Sequence, residues 1–241
     1  MNFSAFYKFF KGKMWPIFAG TGITVVGAIL AVVFMRMRNL RIMSTVGVLI
    51  AVVGIGLIMF GTGGKANPTD FNQEIQIRLR DFREKALKAF KMEEKHIKAI
   101  PLYEPYQIGE YDFNDDENLM AKKCSDGKVR TNFYVNTLIM FTAQKLCIYA
   151  LRFSFTEDNE TVSANQIPYT EIDSMFVTED TYTKEENGKK ITAKYAMLNI
   201  KARNGEILSY PARNDADVDN FIASTMKLSE KMKAAAQAPE K

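Results

Sequence analysis

Histidine is almost missing from this chain: His96 is the sole example in 241 residues. A single chain therefore builds no metal cluster made of histidines. Cysteine is nearly as scarce. Cys124 and Cys147 stand too far apart for a CxxC motif. Two thiols in a domain that needs no staple fit a reducing compartment, although one disulfide stays open as an alternative. A phosphate loop is lacking too. Gly61-Thr62-Gly63-Gly64-Lys65-Ala66 resembles one superficially, but the glycine required five positions before Gly64 is Met59, and Ala66 replaces the Ser/Thr after the lysine. The acidic run Asp112-Phe113-Asn114-Asp115-Asp116-Glu117 has Glu117 where a calcium loop needs its turn glycine and Lys123 where it needs the closing glutamate. It reads as a solvated turn. With no nucleophile–base pair, metal set or nucleotide loop, the sequence points away from an enzyme and implies neither cofactor nor metal. A net charge of +4 is too mild to suggest a nucleic-acid partner.

Charge itself is absent from two long runs, Met14–Met35 and Ile42–Gly64, separated only by Arg36-Met37-Arg38-Asn39-Leu40-Arg41. A bilayer core about 30 Å thick is crossed by roughly 20 apolar helical residues, so each run is long enough to span. Backbone groups in lipid must be satisfied within the helix, which predicts two spans forming an α-helical hairpin. Small residues recur at spacings of three and four in both runs: Gly20, Thr24, Gly27 and Ala31 in the first, then Ser44, Gly47, Ala51, Gly54 and Gly61 in the second. Such stripes let helices approach closely and predict an antiparallel pair, against the plainer reading that glycine is common in membrane helices. Neither span offers a charged group for a proton relay or an ion path. The hairpin is an anchor.

Ahead of it, residues 1–13 alternate aromatics with lysines. Phe3, Phe6, Tyr7 and Phe10 would share one face of a short interfacial helix, with Trp15 at the mouth of the first span. A cleavable signal peptide is the competing reading. The first run is too long for one and is followed by arginines and a second span, which favours an uncleaved anchor. Lys8, Lys11, Lys13, Lys65, Arg78, Arg80 and Arg83 flank the outer ends, against Arg36, Arg38 and Arg41 in the loop. The positive-inside rule then places both termini in the cytoplasm of a multi-pass plasma-membrane protein.

After Asn67-Pro68-Thr69-Asp70, the apolar positions Phe71, Ile75, Leu79, Phe82, Ala86 and Phe90 predict one amphipathic helix over 69–98. It would pack on its own domain or on the membrane surface; its stripe is too short for a coiled coil. His96 near its end reads as solvated. Ile100–Tyr106 reads as an extended connector. From Glu117 the period changes to that of strands. Expected strands cover Leu119–Cys124, Val129–Val135, Thr137–Thr142, Leu146–Phe155, Ile172–Thr178, Ile191–Ala202 and Ile207–Tyr210. A polar stretch runs to Ile167 and a loop covers Lys184–Lys190. Asn204-Gly205 is a hairpin signal. Asn214 and Asp215 cap a final helix carrying Val218, Phe221, Ile222, Met226 and Leu228, ahead of a polar tail over 232–241. The fold class is thus a membrane hairpin plus an α+β domain, a bent antiparallel sheet or barrel of about seven strands with a C-terminal helix.

The run Thr137-Leu138-Ile139-Met140-Phe141-Thr142-Ala143-Gln144-Lys145-Leu146-Cys147-Ile148-Tyr149 is similar to the Leu-x-x-Thr-x-x-Arg/Lys-Leu-x-x-Tyr hairpin of bacterial pleckstrin-homology-like domains. Ile167-Pro168-Tyr169-Thr170-Glu171-Ile172-Asp173-Ser174-Met175 resembles their Ile-Pro-hydrophobic stretch. The resemblance covers 117–231 and none of the membrane part. It implies a membrane-tethered domain, and one functional idea: anionic-lipid headgroup binding by basic residues around the first hairpin, here Lys122, Lys123, Lys128 and Arg130. Converging cations hold a phosphate through charge-assisted hydrogen bonds. An ordinary solvated hairpin is the competing reading.

Phe133, Tyr134, Phe141, Tyr149, Phe153, Phe155, Phe176 and Tyr195 alternate as core and cross-strand residues do. Cys124 and Cys147 read as inert packing residues in strands. Asn159-Glu160-Thr161 matches a glycosylation acceptor, relevant only outside the cytoplasm. The function read from these features is a non-enzymatic, membrane-anchored interaction module with the lipid bilayer and a protein as partners. An accessory subunit of a transporter or membrane enzyme is the alternative, and a homo-oligomer stays open.

Overall fold

A computed structural model describes residues 2–12, 15–36, 41–63, 65–93, 104–114, 117–124, 126–186 and 189–237. Lys13, Met14, Arg38, Gly64, His96, the helix expected to continue to Lys98, Ile100–Tyr103, Asp115, Asp116 and Ser125 lie outside the described residues. The chain divides into two units, Met1–Asn67 and Pro68–Lys241.

The first unit contains α1 (Phe3–Lys11), α2 (Trp15–Met35) and α3 (Arg41–Thr62). Asn2 caps α1, its side-chain oxygen accepting the Ala5 amide at 3.2 Å. The buried stripe of α1 is Phe6, Phe9 and Phe10, whereas Tyr7 is 46% exposed. This corrects the expected face: Phe9 replaces Tyr7, because the stripe without a hydroxyl is the one that buries at least cost. Lys11 lies 5.8 Å from the centroid of the Tyr7 ring. α2 and α3 are long and apolar enough to cross a membrane, with mean hydropathies of 2.4 and 2.5 over Trp15–Met35 and Ile42–Gly61. Their large side chains point outward, Phe60 being 80% exposed, while Gly20, Gly27 and Ala31 are buried. A core helix of a soluble protein has the opposite distribution.

The inward positions are small because the two backbones nearly touch. A Cβ on Gly27 would stand 2.5 Å from the Ala51 nitrogen, and one on Gly47 would stand 2.5 Å from the Ala31 nitrogen. Further along, a Cβ on Gly54 would meet the Gly20 carbonyl and Thr24, and one on Gly61 would meet Ile17. Ser44 Oγ donates to the Ala31 carbonyl at 3.1 Å, and Thr24 Oγ1 to its own Gly20 carbonyl at 2.8 Å. Close packing of this kind replaces the hydrophobic drive that lipid does not supply. Gly22 and Gly56 face away, with nothing within 4 Å of an added Cβ.

The second unit opens with α4 (Pro68–Leu79) and α5 (Phe82–Ala89). Its strands are β1 (Tyr106–Tyr111), β2 (Ala121–Lys123), β3 (Val129–Thr131), β4 (Phe133–Phe141), β5 (Lys145–Ser154), β6 (Glu160–Pro168), β7 (Ile172–Glu186), β8 (Lys189–Ala202) and β9 (Ile207–Ala212). α6 (Ala216–Gln237) ends it. All pairings are antiparallel, in sheets ordered β1-β4-β5-β6, β2-β3 and β7-β8-β9. Nine strands among the described residues replace the expected seven. With the short β2–β3 hairpin set aside, sheets of four and three strands precede the closing helix.

Ile139, Ile148, Leu198 and Ile200 fill the main core together with Tyr169, Ile172, Val218, Phe221 and Leu228. Asp215 caps α6 by accepting the Val218 amide at 3.1 Å. Phe221 stacks on Tyr106 with centroids 4.5 Å apart, and Ser229 donates to the Tyr169 carbonyl at 2.7 Å.

The opposite face of the four-stranded sheet is covered as well. Ile148 and Ala150 of β5 point into the main core, so Cys147, Tyr149, Leu151 and Phe153 point the other way, and all are buried. α4 and α5 cover them. Phe71 meets Phe155 at 4.8 Å, Phe82 meets Tyr149 at 5.2 Å, and Arg78 lies 5.1 Å over the Phe153 ring. Arg78 also pairs with Glu74 at 3.2 Å and with Glu160 of β6. Burial on both faces explains why β5 reads as a continuous apolar run.

Five expectations are corrected. The helix over 69–98 is broken at Arg80-Asp81, where Asp81 (φ −108°, ψ 18°) precedes α5. A straight helix cannot follow a twisted sheet while keeping Phe71, Phe82 and Phe90 on it. α5 then closes with Lys91 at φ 53° and the Met92 amide bonded to the Leu87 carbonyl at 2.9 Å, a Schellman ending. The connector is followed at once by strand β1, paired along its length with β4 from Tyr106↔Ile139 to Tyr111↔Tyr134. Asp112 is buried and ion-paired with Arg152 at 2.7 Å, not solvated. The polar stretch is edge strand β6, whose outer side meets solvent and so needs no apolar period. Lys184–Glu186 and Lys189–Lys190 belong to the long β7–β8 arm, with 187–188 outside the described residues.

Strand limits shift too. Val129–Val135 is interrupted at Asn132, which accepts the Met120 amide at 2.8 Å and donates to the Asn118 carbonyl at 3.1 Å. Phe176 is partly exposed, so it is no core residue. Both cysteines are free thiols and buried.

Candidate functional site

The four basic residues singled out around the first hairpin are not gathered into one cradle. Lys122 pairs across the ladder with Arg130, and Lys123 with Val129. Neighbours along a strand point to opposite faces, so Lys122 and Lys123 diverge. Arg130 is buried. Its guanidinium forks onto the Asp126 carboxylate at 3.0 and 2.7 Å, and its Nε donates to the Tyr111 hydroxyl at 3.2 Å. That fork holds the Asp126 carboxyl below its ordinary value and raises the pKa of Arg130. Burial pushes the Tyr111 hydroxyl up. Asp126 also accepts the Lys128 amide at 3.1 Å. Arg130 thus locks the turn, and Lys123 and Lys128 are exposed beside it. The sequence carried a signal for this pairing: an acid at the hairpin turn, four residues ahead of the arginine.

A cleft of about 280 Å³ opens between β1, the β7–β8 arm and the residues after β9. β1 contributes Glu110, β7 Glu179, and β8 Lys194 and Tyr195; Arg213 and Asn214 come from the turn into α6. Arg213 Nε donates to Glu110, and Asn214 Nδ2 donates to Glu179 at 2.6 Å. The Glu110 hydrogen bond raises the pKa of Arg213. Tyr195 is held by stacking on Phe113 at 5.5 Å, and burial, followed by the nearby Asp180 charge, pushes its hydroxyl up. Burial also pushes the neighbouring Tyr134 up to about 12.

Acids, bases and an aromatic wall of this kind can form charge-assisted hydrogen bonds with a mixed-charge surface. Among the described residues no group of three His, Cys, Asp or Glu is placed to hold a metal ion. Sequence reading missed the cleft, since Glu110 and Arg213 are 103 positions apart and no local pattern connects them. Compared with known proteins, the chain matches no family model, no curated protein and no solved structure.

Proposed function

We propose that this protein is a non-enzymatic, membrane-anchored interaction module. α2 and α3 form a hairpin in the cell membrane with both termini in the cytoplasm. The sheet domain is of the pleckstrin-homology-like kind, and its cleft at Glu110, Glu179, Lys194 and Arg213 receives a protein partner. Four- and three-stranded antiparallel sheets followed by a closing helix support that domain reading.

One observation carries the proposal. The helices that follow the second apolar segment are a packed layer of the sheet domain, with Phe71, Phe82 and Ala86 buried. A domain that incorporates its own tether is suited to work at the membrane and not as a loosely leashed catalyst. In membranes, the full chain should resist carbonate extraction while a Pro68–Lys241 fragment should be released. A photo-crosslinking residue at Lys194 in the full chain should capture a discrete partner that the same probe at Lys227, exposed on α6, should not. Extraction of the full chain by carbonate removes the anchor. Equal capture at both positions removes the cleft.

A further inference from the structure

The outward side of α4 and α5 is left over by the packing described above. Their inward residues are fixed on the sheet by Phe71, Phe82 and Ala86, so the direction of the other side is fixed relative to the domain. That side exposes Arg80, Arg83, Lys85, Lys88 and Lys91, with only Asp81 and Glu84 among them. Ile77 on α4 is 51% exposed. The remainder of the chain is different: beyond Glu93, acidic residues outnumber Lys and Arg. The basic side is therefore a local feature.

Where that side can go is limited by chain length. From the end of α3 at Thr62 to the start of α4 at Pro68, the chain reaches no further than about 20 Å even fully extended. The first acidic residue in the sequence is Asp70, so nothing before α4 repels an anionic surface. Pro68 is thus tied near the end of α3, and basic residues of the domain that come within a Debye length of anionic lipid, about 8 Å at physiological salt, are attracted to it. The attraction is that of a basic protein surface for anionic lipid, since the apolar residues Phe71, Phe82 and Ala86 are spent on the sheet.

We propose that the outward face of α4 and α5 rests on the anionic phospholipid headgroups of the bilayer that holds the hairpin. This rests on the membrane reading above, and extends it from the hairpin to the domain. The face is distinct from the β2–β3 hairpin, whose Arg130 is committed to Asp126.

The test uses the full chain in nanodiscs, either of phosphatidylcholine alone or with about one-third phosphatidylglycerol. A fluorophore is attached at Lys88→Cys, both native thiols being buried, and a quencher is carried on lipid headgroups. Quenching is expected in the anionic discs, falling by about half or more in neutral discs, in high salt, or with Arg80→Glu, Lys85→Glu and Lys91→Glu combined. A fluorophore at Lys227→Cys on α6 should respond to none of these changes. Equal quenching of the Lys88 probe in anionic and neutral discs, or none in either, overturns the inference while leaving the anchor in place. A chain that does not co-elute with discs overturns both.

Discussion

The rings of Phe71 and Phe155 meet edge to face, with centroids 4.8 Å apart and planes at 64°. Through this contact the first helix after the apolar hairpin joins the sheet in one compact unit, Pro68–Lys241.

Phe82, 2% exposed against Tyr149, is the second such ring. Phe82→Ala in the Pro68–Lys241 fragment should lower unfolding stability by about 3–5 kcal/mol. A fragment beginning at Glu117 lacks α4, α5 and β1 and should show no cooperative transition. Urea unfolding followed by far-UV circular dichroism measures both. A cooperative Glu117 fragment would mean that the second core is dispensable.

Gly27 and Gly22 separate packing from composition within one helix. Gly27→Leu places its side chain against the Ala51 backbone, whereas Gly22→Leu meets nothing within 4 Å. With cysteines introduced as Ala31→Cys and Ser44→Cys, oxidative crosslinking should be fast in the parent and with Gly22→Leu. With Gly27→Leu it should slow about tenfold. Equal rates for the two variants would refute tight pairing at this stripe.

The Asp126–Arg130 fork gives a pH dependence of defined sign. The folded carboxyl titrates below its ordinary value because Arg130 hydrogen-bonds its charged form. Its contribution is therefore complete above the unfolded carboxylate value of about 4 and is lost as pH falls through the lower folded value. Asp126→Asn should reduce stability at neutral pH and flatten the part of the acid limb below that value. Denaturant midpoints across the range test it, and an unchanged limb counts against the fork.

Lys91 occupies the left-handed position that ends α5, at φ 53°. Glycine holds this conformation without Cβ crowding, so Lys91→Gly should raise stability by roughly 0.5–1 kcal/mol. A lower denaturant midpoint would show that the lysine side chain makes a compensating contact.

Several features were legible because they depend on neighbours in sequence. Uncharged runs longer than a bilayer is thick marked α2 and α3, and the apolar runs of β4 and β5 were marked by burial on both faces. Asp215 before an amphipathic stretch marked α6. Edge strands were harder to find. β6 carries Thr161, Ser163 and Asn165 with one face toward solvent, and β1 follows a proline-rich connector, so neither shows a strong period. The helix break at Asp81 has no glycine or proline to announce it.

By itself the sequence determined what local chemistry decides: two segments able to span a bilayer, small residues where helix backbones could meet, an antiparallel sheet region, and a single histidine, too few for a metal cluster made of histidines. Only the tertiary structure decided which charges are committed. Arg130 stands beside three lysines in one hairpin, yet it is bound to Asp126 and Tyr111. Asp112 sits in an acidic run, yet it is buried against Arg152, 40 positions away. A side chain's charge is written in the sequence, but its partner is chosen by how strands cross in space. The same holds for α4 and α5, whose apolar stripe could have served lipid or protein until the twist of the sheet brought Tyr149 and Phe155 within reach.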